Sequence, residues 1–278
     1  MKYETIEVQT GQSVAILWFN RPDVRNAFNE TMIAEITSAL DALDADDDVR
    51  AVALAGRGKV FCAGADLNWM KRMAGYSFEE NHADAMTLAR MLNRLYSMKK
   101  PTVARVHGAA FAGGMGLLAA CDIAVSAVDA EYCLSEVKLG LTPATISPYV
   151  IAAMGERAAR RYFLTAERFT AAEAYRIGLV QELTHPDELD ARVNELLGQL
   201  VQGGPHAQAS AKELIGTVAR SPLNADLIAE TATRIATARV SPEGQEGMHA
   251  FMEKRQPSWL KAAKSATKKS GRKDAKKV

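Results

Sequence analysis

Phe61-Cys62-Ala63-Gly64-Ala65-Asp66-Leu67 and Gly108-Ala109-Ala110-Phe111-Ala112-Gly113-Gly114-Met115-Gly116 are two turns of small residues about fifty positions apart. Each follows a short apolar stretch: 51–55, with Val60 and Phe61 nearer the turn, in one case, and 102–106 in the other. Each leads into a helix-like stretch. Strand, turn and helix in repetition is the grammar of an α/β chain. The turns also carry chemistry. Gly and Ala let a backbone approach a ligand with no side chain in the way. The first amides of a helix lack partners within it and point at negative charge. Two such turns can aim one N–H each at a single carbonyl oxygen, which is an oxyanion hole.

Working outward, Val14-Ala15-Ile16-Leu17-Trp18-Phe19 reads as a strand ended by Asn20-Arg21-Pro22. Residues 31–43 carry apolar side chains at helical spacing, and the acid-rich run 44–48 closes that helix. Further short strands are expected at 123–126 and 131–134, and helices at 78–98, 114–120 and 146–154. From Ala171 the character changes to amphipathic helices at 171–177, 187–200, 207–217, 222–238 and 242–254, with a strand signal only at 179–183. Apolar faces on those helices must be buried against the core or a neighbour. The organisation expected is a core over 1–200, a helical region over 201–260 and a basic tail over 261–278.

At 278 residues the chain suits one large domain, or one with an appendage. With 48% hydrophobic and 24% charged residues it reads as a soluble globular protein. Its apolar runs fall short of the roughly 20 residues a membrane helix needs. The start, Met1-Lys2-Tyr3-Glu4-Thr5-Ile6-Glu7, shows no cationic and apolar signal segment. Cys62, Cys121 and Cys133 lack metal-ligand spacing and sit among small or apolar neighbours, so buried free thiols in a reducing cytoplasm are expected. The tail holds eight basic residues and one acid, which leaves the first 260 residues at −6 within a chain of net charge +1. It reads as a solvated, disordered extension rather than a nucleic-acid contact. No Walker loop, no dinucleotide fingerprint after a first strand and no His/Cys/Asp cluster at metal spacing occurs, so neither metal nor resident cofactor is expected.

An oxyanion hole needs an acid–base partner. Glu136, in Cys133-Leu134-Ser135-Glu136-Val137, sits in an apolar setting that can raise a carboxylate's pKa toward a useful value. From the residues alone it reads equally well as a solvent-facing Glu at the start of the 138–141 loop. Asp66 reads as the cap of a helix over 67–73. His107 reads as a hydrogen-bonded structural residue. Trp69, Met70 and Met73 either shape a pocket or pack a helix face.

At these residues the chain resembles the crotonase family, the enoyl-CoA hydratases and isomerases. The resemblance runs from Arg21-Pro22-Asp23-Val24-Arg25-Asn26-Ala27 through both turns, Ser135-Glu136-Val137-Lys138-Leu139-Gly140-Leu141 and 168–183 to about Pro257. It implies a crotonase (ClpP-like) spiral of ββα turns with a helical C-terminal region that drives homotrimers or dimers of trimers. It implies an acyl-CoA thioester as substrate, with no cofactor beyond it. The Ala65 and Gly113 amides are then the holders of the thioester carbonyl, and Glu136 the acid–base group. Arg25, Ala27, Ala63, Asp66, Leu67 and Gly116 fall at substrate or CoA positions, and Phe251 and Lys254 at positions that touch CoA across subunits.

Two departures from the family pattern matter. Hydratases of the family usually carry a second catalytic glutamate where this chain has Gly116, and a glycine cannot transfer protons. Members with only the Glu136-type residue include Δ3,Δ2-enoyl-CoA isomerases. The stretch Ile146-Ser147-Pro148-Tyr149, together with both turns, is instead similar to bacterial methylglutaconyl-CoA hydratases of leucine and isoprenoid-acid breakdown. Their substrate ends in a carboxylate, which would lie beside Gly116 and meet an Arg or Lys or position water. The expected function is hydration of an α,β-unsaturated acyl-CoA. The alternatives are isomerisation by Glu136 alone and a non-catalytic acyl-CoA or polyanion binder.

Overall fold

Ile6–Gly11 (β1) and Val14–Phe19 (β2) form an antiparallel hairpin turned by Gln12 and Ser13, both at positive φ. The computed structural model describes residues 2–260, and the basic tail expected at 261–278 lies outside them. Asn29 caps Glu30–Ala45 (α1) by accepting from the Met32 amide, so the helix begins one residue ahead of its apolar pattern. Ala51–Gly56 (β3) leads through the first small-residue turn into Leu67–Met73 (α2). A Ser77/Glu80 capping box then starts Phe78–Tyr96 (α3).

Thr102–Val106 (β4), Ala109–Phe111 (β5) and Gly113–Ala119 (α4) follow. Next come Ile123–Ala127 (β6), Glu131–Cys133 (β7), a 3-10 turn at Glu136–Leu139 and Ser147–Thr165 (α5). β5 was not expected. Three residues inside a Gly/Ala turn carry no alternating pattern, and only pairing with β7 makes them a strand. The helix expected at 146–154 runs on to Thr165 past a break at Gly155, which adopts φ 77° and ψ 156°. Phe169–Thr170 (β8), Ala171–Arg176 (α6) and Glu182–Thr184 (β9) precede four helices: Leu189–Leu200 (α7), Pro205–Val218 (α8), Ala225–Val240 (α9) and Pro242–Met252 (α10).

The strands form two sheets, β1-β2-β3-β4-β6-β9 and β5-β7-β8. The larger is parallel from β2 to β9. Successive turns of chain place one strand in each sheet and then a helix: β4-β5-α4, and β6-β7-α5. The first small-residue turn joins the same stack, because Cys62 bridges Ala110 in parallel. This is the ββα spiral. β3 is buried along its whole length, as a central parallel strand must be. Its alternate residues divide between two cores. Val52 and Leu54 join the main core with Phe19, Phe28 and Met115, while Ala51 and Ala53 pack with Leu189, Val193 and Leu197 of α7 on the other face.

Candidate active site

Stacking the spiral brings the two small-residue turns into contact. Cys62 N donates to Ala109 O at 3.1 Å, and Phe111 N to Cys62 O at 3.0 Å. Gly64 adopts φ +92°, a conformation that disfavours any side chain. A Cβ built on it would lie 3.1 Å from Ala112 Cβ and 3.7 Å from Gly113 N. Ala112 itself, with φ 47° and ψ −119°, holds a backbone geometry costly for a non-glycine residue. Its amide donates to Cys133 O at 2.8 Å. That strained peptide turns the next amide, Gly113 N, out of the strand pairing.

Among the described residues neither Ala65 N nor Gly113 N has an acceptor within the chain. Buried backbone amides are almost always paired. Gly113 is buried and Ala65 half-buried, and two unpaired donors on touching turns can together hold one ligand oxygen.

The Cys133 carbonyl that holds Ala112 lies three residues before Glu136. Glu136 opens the 3-10 turn and is half-buried, and its Oε2 is buried with no hydrogen-bond partner. Desolvation raises its pKa above the ordinary carboxylate range, against the opposing pull of its own amide. The buried reading of Glu136 is the one the structure adopts.

A second layer holds the first turn. Arg25 O accepts from Ala63 N at 3.0 Å. Buried Asn26, at φ +54°, donates from Nδ2 to Arg57 O and Val60 O, both at 2.8 Å, and accepts Arg21 N at 3.0 Å. Asp66 caps α2, accepting from Asn68 N and Trp69 N, and pairs with Arg21 Nη2 at 2.8 Å. Burial alone would raise its pKa, but the Asn68 amide and Arg21 hold it below the usual range. Asp66 is thus committed to structure, and its assignment as a substrate contact is not supported by its partners. Arg21 also donates to the carbonyl of buried Ala27.

The Arg25 side chain is exposed beside this turn, and Leu67 is 73% exposed at its rim. Phe251 is 85% exposed near the end of α10, and Lys254 follows three residues later. His107 is held by Gly58 O and Arg105 Nη1, each at 3.0 Å, with burial lowering its pKa, which fits the structural role expected of it. Trp69 is buried and donates to Asp84 at 3.1 Å, so it packs the helix.

Gly116 is buried, and a Cβ there would lie 2.3 Å from Ile146 Cγ2. Ile146 therefore fills the space in which a side chain at 116 would stand. Tyr149 lies three residues further on, in α5. Its ring packs on Tyr96 at 5.4 Å and lines a cleft of about 980 Å3 with Lys212 and Arg220. Cys62 and Cys133 are buried as expected, while Cys121 is half-buried. Burial pushes the Cys62 thiol up to about 12, which leaves it a poor nucleophile. Asn26, Phe28 and Ile146 were not singled out from the sequence. Asn26 and Ile146 lay within stretches quoted there without a role, and Phe28 read as an ordinary apolar residue.

A ββα spiral with unpaired amides on two touching turns and a half-buried, desolvated carboxylate suits acyl-thioester chemistry. The chain belongs to the enoyl-CoA hydratase/isomerase family, whose profile matches residues 9–262. It is similar to the crystal structure of an enoyl-CoA hydratase from Shewanella pealeana, at 43% identity and a TM-score of 0.91 over 93% of this chain and 97% of that one. A Thermus thermophilus protein provisionally named an enoyl-CoA hydratase is 37% identical over 91% of this chain and 99% of its own length. The crotonyl-CoA hydratase of Syntrophomonas wolfei is 30% identical over 94% and 99%. Among the described residues no group of side chains could hold a metal ion, and no helix is long and apolar enough to cross a membrane.

Proposed function

We propose that the chain adds water across the double bond of an α,β-unsaturated acyl-CoA, with a branched glutaconyl-CoA of the 3-methylglutaconyl type as its substrate. The observation that carries the hydration reading is the unpaired, buried Glu136 Oε2 in the segment tied to the strained Ala112–Gly113 turn. The thioester oxygen accepts the Ala65 and Gly113 amides. Glu136 takes a proton from water as its oxygen bonds to Cβ, and the π electrons move toward the thioester oxygen as an enolate. The protonated carboxyl then returns that proton to Cα. One carboxylate completes both transfers, so no second acid is required. Arg25, whose carbonyl holds Ala63 N and whose side chain is exposed, would be the cation that meets a CoA phosphate.

The glutaconyl assignment rests on the likeness of both turns and of Ile146-Ser147-Pro148-Tyr149 to that group of hydratases. Isomerisation is the second reading, favoured by the one observation that Ile146 closes the second-acid position. Moving a proton between Cα and Cγ needs a single carboxylate. A panel of CoA thioesters separates them: hydration consumes the conjugated enoyl absorbance, and isomerisation of a 3-enoyl-CoA creates it. Fastest loss with methylglutaconyl-CoA supports the proposal. A gain with 3-enoyl-CoA and no loss with any 2-enoyl-CoA overturns it in favour of isomerisation.

A further inference from the structure

Phe28 is the residue that touches both oxyanion turns. Its backbone forms an isolated parallel bridge with Ala65: Phe28 N donates to Gly64 O at 2.8 Å, and Asp66 N donates to Phe28 O at 3.0 Å. Those two bonds hold the peptide units on either side of Ala65 and leave the Ala65 amide free. Its ring reaches the other turn. A Cβ built on Gly113 would lie 2.2 Å from Phe28 Cζ and 2.7 Å from Cε1. Phe28 is 1% exposed and its ring also meets Trp69 at 5.8 Å, and Trp69 is tied to α3 through Asp84. It therefore has one place to sit, wedged between α2 and the start of α4.

We propose that Phe28 is a positioning residue that sets the spacing of the two donors: its main chain fixes Ala65, and its ring is the stop against which Gly113 rests. Being buried, it touches no substrate. Its effect passes through the amides, so this proposal rests on the reading of Ala65 and Gly113 as oxyanion donors. Gly113 is glycine because a methyl group would strike the ring. Close-packed interiors transmit such displacements instead of absorbing them. Misaiming one donor should approach the roughly 10²–10³-fold loss in kcat that removing one brings.

The test is Phe28→Leu, which keeps an apolar filling but withdraws the ring tip, read beside Gly113→Ala and the double variant Phe28→Ala/Gly113→Ala. The readouts are kcat and KM for a 2-enoyl-CoA, and the infrared C=O stretch of bound butyryl-CoA, which an oxyanion hole lowers relative to water. Circular dichroism selects folded variants. Phe28→Leu is expected to lose about 10–100-fold in kcat with KM within about threefold, and to recover most of the carbonyl shift toward its value in water. Gly113→Ala keeps its amide, yet it should fall at least as far. The double variant should regain activity over Gly113→Ala, because the added methyl enters the space that the ring vacates. Wild-type kcat and an unrelaxed carbonyl shift in Phe28→Leu, or a double variant no more active than Gly113→Ala, overturn the role of Phe28 alone. An unshifted carbonyl in the wild type removes the amide donors themselves, and this proposal with them.

Discussion

At the scale of single residues, Glu136 places activity and stability in opposition. Its carboxyl is raised by burial, so the folded protein holds a proton there that the unfolded chain would release. Stability from that proton is present below the unfolded pKa and is lost as pH rises through the folded one. The base is needed ionised, so kcat/KM should rise along an acid limb displaced above the ordinary carboxylate range. Glu136→Gln is expected to lose about 10²–10⁴-fold in kcat while melting at or above the wild-type temperature near neutral pH, with the difference shrinking in acid. Rates and thermal melts across pH check both, and a variant keeping half its activity removes Glu136 as the base. Gly116 gives a second expectation. Gly116→Ala should cost about 1–3 kcal/mol through overpacking against Ile146, although alanine favours helices. Gly116→Ala/Ile146→Ala should be more stable than the sum of the two single changes. Denaturant unfolding of all three measures the coupling, and strict additivity would show that Ile146 does not own that space.

At the scale of elements, α2 is the sharpest case. Asp66 was legible as its cap because an Asp directly before an apolar run is a start signal. The Arg21 pairing was not, because 45 residues separate the partners in the chain. Asp66→Ala is expected to lose about 0.5–2 kcal/mol for the cap, and more as Arg21 loses its partner. Asp66→Asn keeps the capping oxygen and should lose less. That ordering, read from melting temperatures, separates cap from ion pair. Since the Asp66 carboxyl sits below its usual range, its contribution is present at neutral pH and is lost as pH falls through the lowered value. Strand β4 coincides with its expectation because it is buried at every position but the half-buried Arg105, as a parallel central strand reads. The helix expected at 146–154 ends directly before the break at Gly155, and what the local pattern did not show is that the chain resumes the helix beyond it to Thr165.

At the scale of the molecule, α7 closes the second face of the large sheet, but α8 to α10 leave apolar side chains uncovered. Ile215, Leu223, Ile228, Ile235, Val240 and Phe251 are each more than half exposed. So many exposed apolar side chains on one helical region call for a partner surface. The homotrimer or dimer of trimers implied by the family resemblance would cover them and would bring Phe251 and Lys254 to a neighbouring site. Sedimentation should give a multiple of the chain mass, and Ile228→Asp should lower it without unfolding the subunit. A monomeric wild type of full activity would remove the role of that face. Deleting 261–278 is expected to change neither the number of subunits assembled nor the rate, and salt-sensitive RNA binding lost with the deletion would reopen the polyanion reading.

The sequence by itself determined what local pattern can determine. Apolar runs, helical spacing and caps set the elements, and small residues before α2 and α4 marked two turns open to a ligand. It also presented one carboxylate and no second one. Only the tertiary structure decided which reading of each residue holds. Whether Glu136 faces solvent or lies buried depends on how β7 and α5 pack, and whether Gly116 is an empty site or a filled one depends on Ile146, thirty positions away. The two small-residue turns meet because separate turns of the spiral pair in parallel at Cys62 and Ala110. Parallel pairing joins residues far apart in the chain, and no local pattern encodes the register in which they meet.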